Sequence, residues 1–163
     1  MNTRITRASA MAASVALLAA VSGPAVSAHH SFAMYDQSKV VTLTGVVKQY
    51  VPQANHAEFH VYMLAPDHKS IAKGKDGKYV EWGVEMAGTA QLVRQGVSSA
   101  TFPAGTVISF KVNPLRDGSN FGARVGALAR CPMDPATKKP ILPEAGKHCD
   151  SVQGHTLTGG TTF

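Results

Sequence analysis

The sequence predicts an all-β fold with one short helix. Apolar and polar residues alternate at period two in three successive stretches, one helix-like interruption follows the third, and two further strand-like runs close the series. Val40 to Val51, through Val41, Leu43, Val46, Val47 and Tyr50, reads as a long first strand in which Gly45 marks a bulge or bend. Ala57, Phe59, Val61 and Met63 alternate with Glu58, His60 and Tyr62 in the second, with one face buried. Val80, Trp82, Val84 and Met86 alternate with Tyr79, Glu81, Gly83 and Glu85 in the third. Thr89 to Gln95 breaks the alternation. Thr89 can cap a short helix, Leu92 and Val93 supply its apolar patch, and Gly96 stands where it stops. After the Pro103-Ala104-Gly105 turn, Val107, Ile108, Phe110 and Val112 form a fourth strand ending before Pro114. Asp117-Gly118-Ser119-Asn120 turns the chain into a fifth, Phe121 to Arg130. The order β-β-β-α-β-β with a long, bent first strand matches the five-stranded OB-like β-barrel, with a two-sheet sandwich as the competing architecture.

At 163 residues, 44% hydrophobic and 16% charged, the chain has the makings of one packed domain rather than a disordered or collagen-like segment. Its first 28 residues read as a secretory signal peptide. Arg4 and Arg7 form the positive start, Ala10 to Val21 the apolar stretch, and Val26-Ser27-Ala28 the cleavage site. That apolar run is too short to span a bilayer, so a periplasmic or secreted protein is expected rather than an integral membrane one. Residues 29–38 then form an N-terminal arm, 39–130 the barrel, and 131–163 an irregular extension. Cys131 and Cys149, in an oxidising compartment, are expected to form a disulfide across this Pro-rich segment.

Charge narrows the ligand class. Processing leaves 14 Lys plus Arg against 10 Asp plus Glu, a formal +4 on 135 residues. The basic residues are scattered except for Lys69, Lys73, Lys75 and Lys78, in a stretch that reads as a solvated loop. On an OB-like barrel the outward face of the second and third strands is the usual ligand surface. Here it carries Glu58, His60, Tyr62, Tyr79, Glu81 and Glu85, and its carboxylates repel phosphate. Nucleic acid is therefore not expected as a partner. A cation, a basic peptide or a sugar suits this face better, unless it is merely the wet half of an amphipathic strand pair.

Cleavage after Ala28 would expose His29 as the first residue, followed by His30. A terminal amine and an imidazole on one residue can chelate copper. A third nitrogen would complete the T-shaped arrangement called a histidine brace, and imidazole-rich sites suit copper and zinc. His56 and His60 are the candidate third ligands. On one strand they would stand about 13 Å apart at roughly 3.3 Å per residue, too far to share a metal, whereas a turn at His56 would shorten the separation. His68, His148 and His155 are expected to be solvent-exposed bystanders. Hydrolase, P-loop and dinucleotide motifs are missing, so no catalytic residue is assigned.

Several pieces resemble a family of small exported bacterial proteins classed as a domain of unknown function. They are His29-His30-Ser31-Phe32-Ala33, Tyr35-Asp36, Leu43-Thr44-Gly45-Val46-Val47, His56-Ala57, Trp82-Gly83-Val84-Glu85, Leu92 to Gly96, Gly105-Thr106-Val107, and Asn113-Pro114 with Asp117-Gly118. The resemblance covers nearly the whole barrel. It implies an exported β-rich domain without established activity and makes the His-His start look like a family feature. Where the family pattern before the second strand looks like Asn-Pro-His, this chain has Ala54-Asn55-His56. The extension from Cys131 lies beyond the family core. The function expected is a non-catalytic periplasmic binding module for a small molecule, a metal such as copper, or an envelope protein. A copper oxidoreductase with a brace at His29 and an envelope interaction module are the alternatives.

Overall fold

The computed structural model describes residues 32–159. The predicted signal peptide, His29 and His30 lie outside them. The expected elements form with nearly the expected bounds: β1 (Val41–Val51), β2 (Glu58–Met63), β3 (Glu81–Glu85), α1 (Thr89–Arg94), β4 (Val107–Pro114) and β5 (Phe121–Arg130). Antiparallel ladders join β1 to β2 and β4, β2 to β3, and β4 to β5, while a parallel pairing of β3 with β5 closes the ring. This is the closed five-stranded OB-type barrel, and the β3–β5 pairing excludes an open sandwich.

One strand makes the closure possible. The first half of β1 pairs with β4, from Val41 opposite Val112 to Val46 opposite Val107. Its second half pairs with β2, from Gly45 opposite Met63 to Val51 opposite Glu58. At the overlap a Cβ on residue 45 would lie 2.5 Å from the Tyr62 carbonyl oxygen and 2.6 Å from Val61 Cγ1. Gly45 thus serves close backbone approach, and the ladder irregularity expected there falls instead between Val47 and Gln49, setting Lys48 out of register.

Phe59, Val61, Val84, Met86, Ile108, Phe110 and Val112 fill the barrel, and Leu92 of α1 closes one end with no exposed surface. The helix begins differently from expectation. Gly88 is its N-cap without a side-chain bond, and the Thr89 hydroxyl donates to the Gln53 carbonyl instead. Gly96, at φ +78°, ends it as expected, with the Val97 amide reaching back to Leu92. Pro114 extends β4 beyond the expected end, opposite Gly122. Its missing N–H costs nothing there, and its carbonyl accepts from the Asp36 amide at 2.8 Å.

The segment after residue 130 is the expected disulfide-stapled extension, irregular apart from a 3-10 turn at Cys149–Ser151, an isolated bridge and one short strand. Cys131 and Cys149 are disulfide-bonded and buried, packing with Val107 and Ala129 into a second apolar cluster. Closing an 18-residue separation restricts the unfolded chain by roughly 3 kcal/mol in the chain-entropy model. The chain then returns as β6 (Thr156–Thr158), antiparallel to Leu128–Arg130 of β5. The second edge of β5 is therefore shared, β3 taking residues 121–123 and β6 residues 128–130. Among the described residues no helix is long and apolar enough to cross a membrane.

The crossing at Gly45 is directly testable. Gly45→Ala drives a methyl against a carbonyl that cannot rotate away, so urea denaturation should show a loss of about 3 kcal/mol, the upper end for overpacking. An unchanged midpoint would mean that the β1–β2 crossing opens without penalty.

Candidate functional site

Alternation on β2 and β3 decides what faces outward. Phe59, Val61 and Val84 point into the barrel, so Glu58, His60 and Tyr62 on β2 stand beside Glu81 and Glu85 on β3. The ladder sets Glu58 opposite Glu85, His60 opposite Gly83, and Tyr62 opposite Glu81. Gly83 leaves room for the Phe121 ring, which a Cβ there would meet at 2.2 Å. The six residues expected on this face do share it, with Tyr79 at its margin.

The face divides into two halves. In one, Lys48 donates to Glu81 Oε2 at 2.8 Å, and His60 Nδ1 donates to Glu81 Oε1 at 2.9 Å. Burial by itself raises the Glu81 carboxyl, but these two bonds outweigh it and hold the group below the ordinary carboxylate range. The Lys48 ammonium is pushed up by the same bond to Glu81 and lies 5.3 Å from the centre of the Tyr62 ring. Tyr62 and Tyr79 pack with centroids 5.3 Å apart, and Lys73 stands over Tyr79 at 5.7 Å. This half is internally neutralised.

In the other half the carboxylates face imidazoles and a phenol. His60 Nε2 lies 3.5 Å from Glu58 Oε2, and His56 Nδ1 lies 3.4 Å from Glu85 Oε1. His56 lies two residues before β2, and the backbone pairing with the strand opposite already reaches Ala57, which bonds Ala87 and Met86. The His56 Nδ1 is buried and makes no aligned hydrogen bond despite the nearby carboxylate. Glu85 Oε2 instead accepts from the Tyr35 hydroxyl at 2.9 Å. Among the described residues, no three His, Cys, Asp or Glu side chains converge closely enough to hold a metal ion.

Tyr35 was not apparent from the sequence as part of this face. It sits in the arm, outside the alternating strands, yet its ring is 1% exposed. A bridge to Leu115 and the Asp36–Pro114 bond hold the arm on the barrel, and Arg116 reaches the Ala33 carbonyl. Burial first, and then the bond to Glu85, push the phenol pKa well above its usual value. Lys48 was also missed, because a lysine beside a strand irregularity carries no periodic signal.

The three remaining histidines, expected to be solvent-exposed, are each half-buried and hydrogen-bonded. His68 Nδ1 bonds the Pro143 carbonyl at 3.2 Å, His155 Nδ1 bonds the Val152 carbonyl at 2.9 Å, and His148 Nδ1 meets the Thr44 hydroxyl at 2.7 Å. His68 and His148 make these bonds to distant residues, whereas His155 makes its bond within its own turn.

Residues 15–124, about two thirds of the chain, match the model of a family of unknown function, DUF6152. The match ends before Cys131, so the stapled segment lies outside it. Neither the curated proteins nor the solved structures contain a match.

Tyr35 makes the alkaline stability of the barrel informative. A folded-state pKa raised above the unfolded value of about 10 means that stability is complete below pH 10 and is lost as pH rises past it. Tyr35→Phe should remove about 1.5 to 3 kcal/mol at pH 7, the range for a hydrogen bond to a charged group, and should flatten the alkaline decline. Thermal melts between pH 7 and 11 check both; a variant with an unaltered alkaline slope would place the decline elsewhere.

Proposed function

For a chain that belongs to this family of unknown function, we propose a non-catalytic binding module exported through residues 1–28, which takes a metal cation, copper first, at its processed N-terminus. The terminal amine and imidazole of His29 supply two nitrogens, His30 can add its own, and His56 supplies the folded one. The observation that carries this reading is the state of His56. Its Nδ1 is buried beside Glu85, while 40% of the side chain is exposed, leaving Nε2 as the available nitrogen.

Glu85 lies 3.4 Å from His56 Nδ1 without an aligned hydrogen bond, so it offers charge balance to a cation held by that ring. Both ring nitrogens of His60 already face carboxylates, Glu81 and Glu58, so His56 is the better third ligand. The Tyr35 hydroxyl is anchored on the same Glu85. Glu58 and Glu85 have no lysine or arginine in ion-pair contact among the described residues, which supports a cationic ligand and disfavours phosphate. Bound copper would supply Lewis acidity or a redox couple; the residues described here orient and charge-balance the site.

The test is a Cu(II) titration, read by calorimetry and EPR, of exported protein whose mass confirms His29 as the first residue. Tight one-to-one binding should disappear when one extra residue precedes His29 and weaken in His56→Ala. Weak binding that is equal in all three proteins would overturn the proposal.

A further inference from the structure

The barrel has a second outward polar face, on β1 and β4. Thr42 and Thr44 of β1 pair with Lys111 and Ser109 of β4, and all four point away from the core. Thr44 and Ser109 are nevertheless buried, because the stapled segment lies over them. The Cys149 amide donates to Ser109 Oγ at 2.7 Å, Ser109 Oγ meets Thr44 Oγ1 at 2.6 Å, and Thr44 Oγ1 meets His148 Nδ1 at 2.7 Å. One arrangement uses every proton: Ser109 donates to Thr44, and Thr44 donates to His148 Nδ1. The uncharged His148 ring then carries its proton on Nε2.

Beyond this roof the same face stays open. Ser109 pairs with Ala129 but Lys111 with Val125, so the Gly126 to Leu128 stretch of β5 bulges out of register, with Gly126 at φ +71°. A cavity of about 360 Å³ results, lined among others by Thr42, Lys111, Val125, His148, Asp150 and Leu157. That volume lies within the range of small-ligand sites. Lys111 and Asp150 bring opposite charges to it, and among the described residues neither has an ion-pair partner. Leu157 and Val125 supply apolar wall.

We propose that this cavity binds a free amino acid. A zwitterion satisfies both charges at once, its carboxylate at Lys111 and its ammonium at Asp150, with His148 Nε2–H as a further donor to the carboxylate. A simple anion would meet Asp150 and a simple cation Lys111, so neither fits as well. The apolar wall favours an aliphatic side chain. The site shares no residue with the proposed copper site, so the two readings stand or fall separately.

The test follows the His148 imidazole resonances of full-length, metal-free oxidised protein during titration with the standard free L-amino acids. 4-Methylpentanoate and isopentylamine serve as the one-charge analogues of leucine. Saturable shifts with at least one aliphatic amino acid are expected, with both analogues weaker by about tenfold or more, the loss of one charge-assisted bond. Lys111→Ala and Asp150→Asn, both at exposed positions, should each weaken binding similarly without moving the melting temperature. The absence of a saturable shift with every amino acid, or equal binding of the analogues, would overturn the proposal.

Discussion

A strand can belong to two ladders only where it turns from one neighbour to the other, and in this barrel the turn occurs at a residue without a side chain. Gly45 pairs with Met63 of β2 and with Ile108 of β4. The backbone approach there is closer than any Cβ would permit. From that crossing the rest of the barrel follows: β2 and β3 leave on one side, β4 and β5 on the other, and the two arms meet where β3 runs parallel to β5. The crossing also separates two outward surfaces of unlike chemistry. The surface on β2 and β3 is rich in carboxylates and imidazoles, and the one on β1 and β4 carries hydroxyls and a lysine.

The two surfaces are finished by different parts of the chain. On β2 and β3 the arm contributes Tyr35, whose buried ring and hydroxyl turn Glu85 from a solvated carboxylate into a bonded one. On β1 and β4 the disulfide holds Cys149 and His148 over two hydroxyls that would otherwise face water. In each case a buried polar group is matched by a partner from a segment outside the five strands, as burial demands. The barrel supplies the platform, and the flanking segments supply its polar detail.

This division explains how much could be read in the sequence. The strands were legible because each buries one face: Phe59, Val61 and Val84 lie inside, and Glu58, His60 and Glu85 outside. Gly96 was legible as a helix stop because a positive φ favours glycine. Tyr35, Lys48 and the Thr44–Ser109–His148 relay were not, since each depends on contacts between residues 33 to 104 positions apart. Periodicity reports what one element buries, and it is silent on a distant segment that later covers the wet face. The three residues of β6 are too few to carry any period. Thr89 shows the converse, a residue of capping type whose hydroxyl finds the Gln53 carbonyl once the β1–β2 connection lies beside it.

The difference between His56 and His60 comes from a strand boundary. β2 begins at Glu58, so His60 is fixed in the ladder opposite Gly83, and its ring lies between Glu81, bonded to Nδ1, and Glu58, 3.5 Å from Nε2. His56 lies two residues before the first ladder position and presents only one nitrogen to a carboxylate. Two imidazoles four residues apart therefore meet different surroundings. His60 belongs to the charge balance that holds Glu81 below the ordinary carboxylate range, while His56 keeps its Nδ1 buried beside Glu85. The boundary at Glu58 is thus the structural fact on which the chemistry of this face turns.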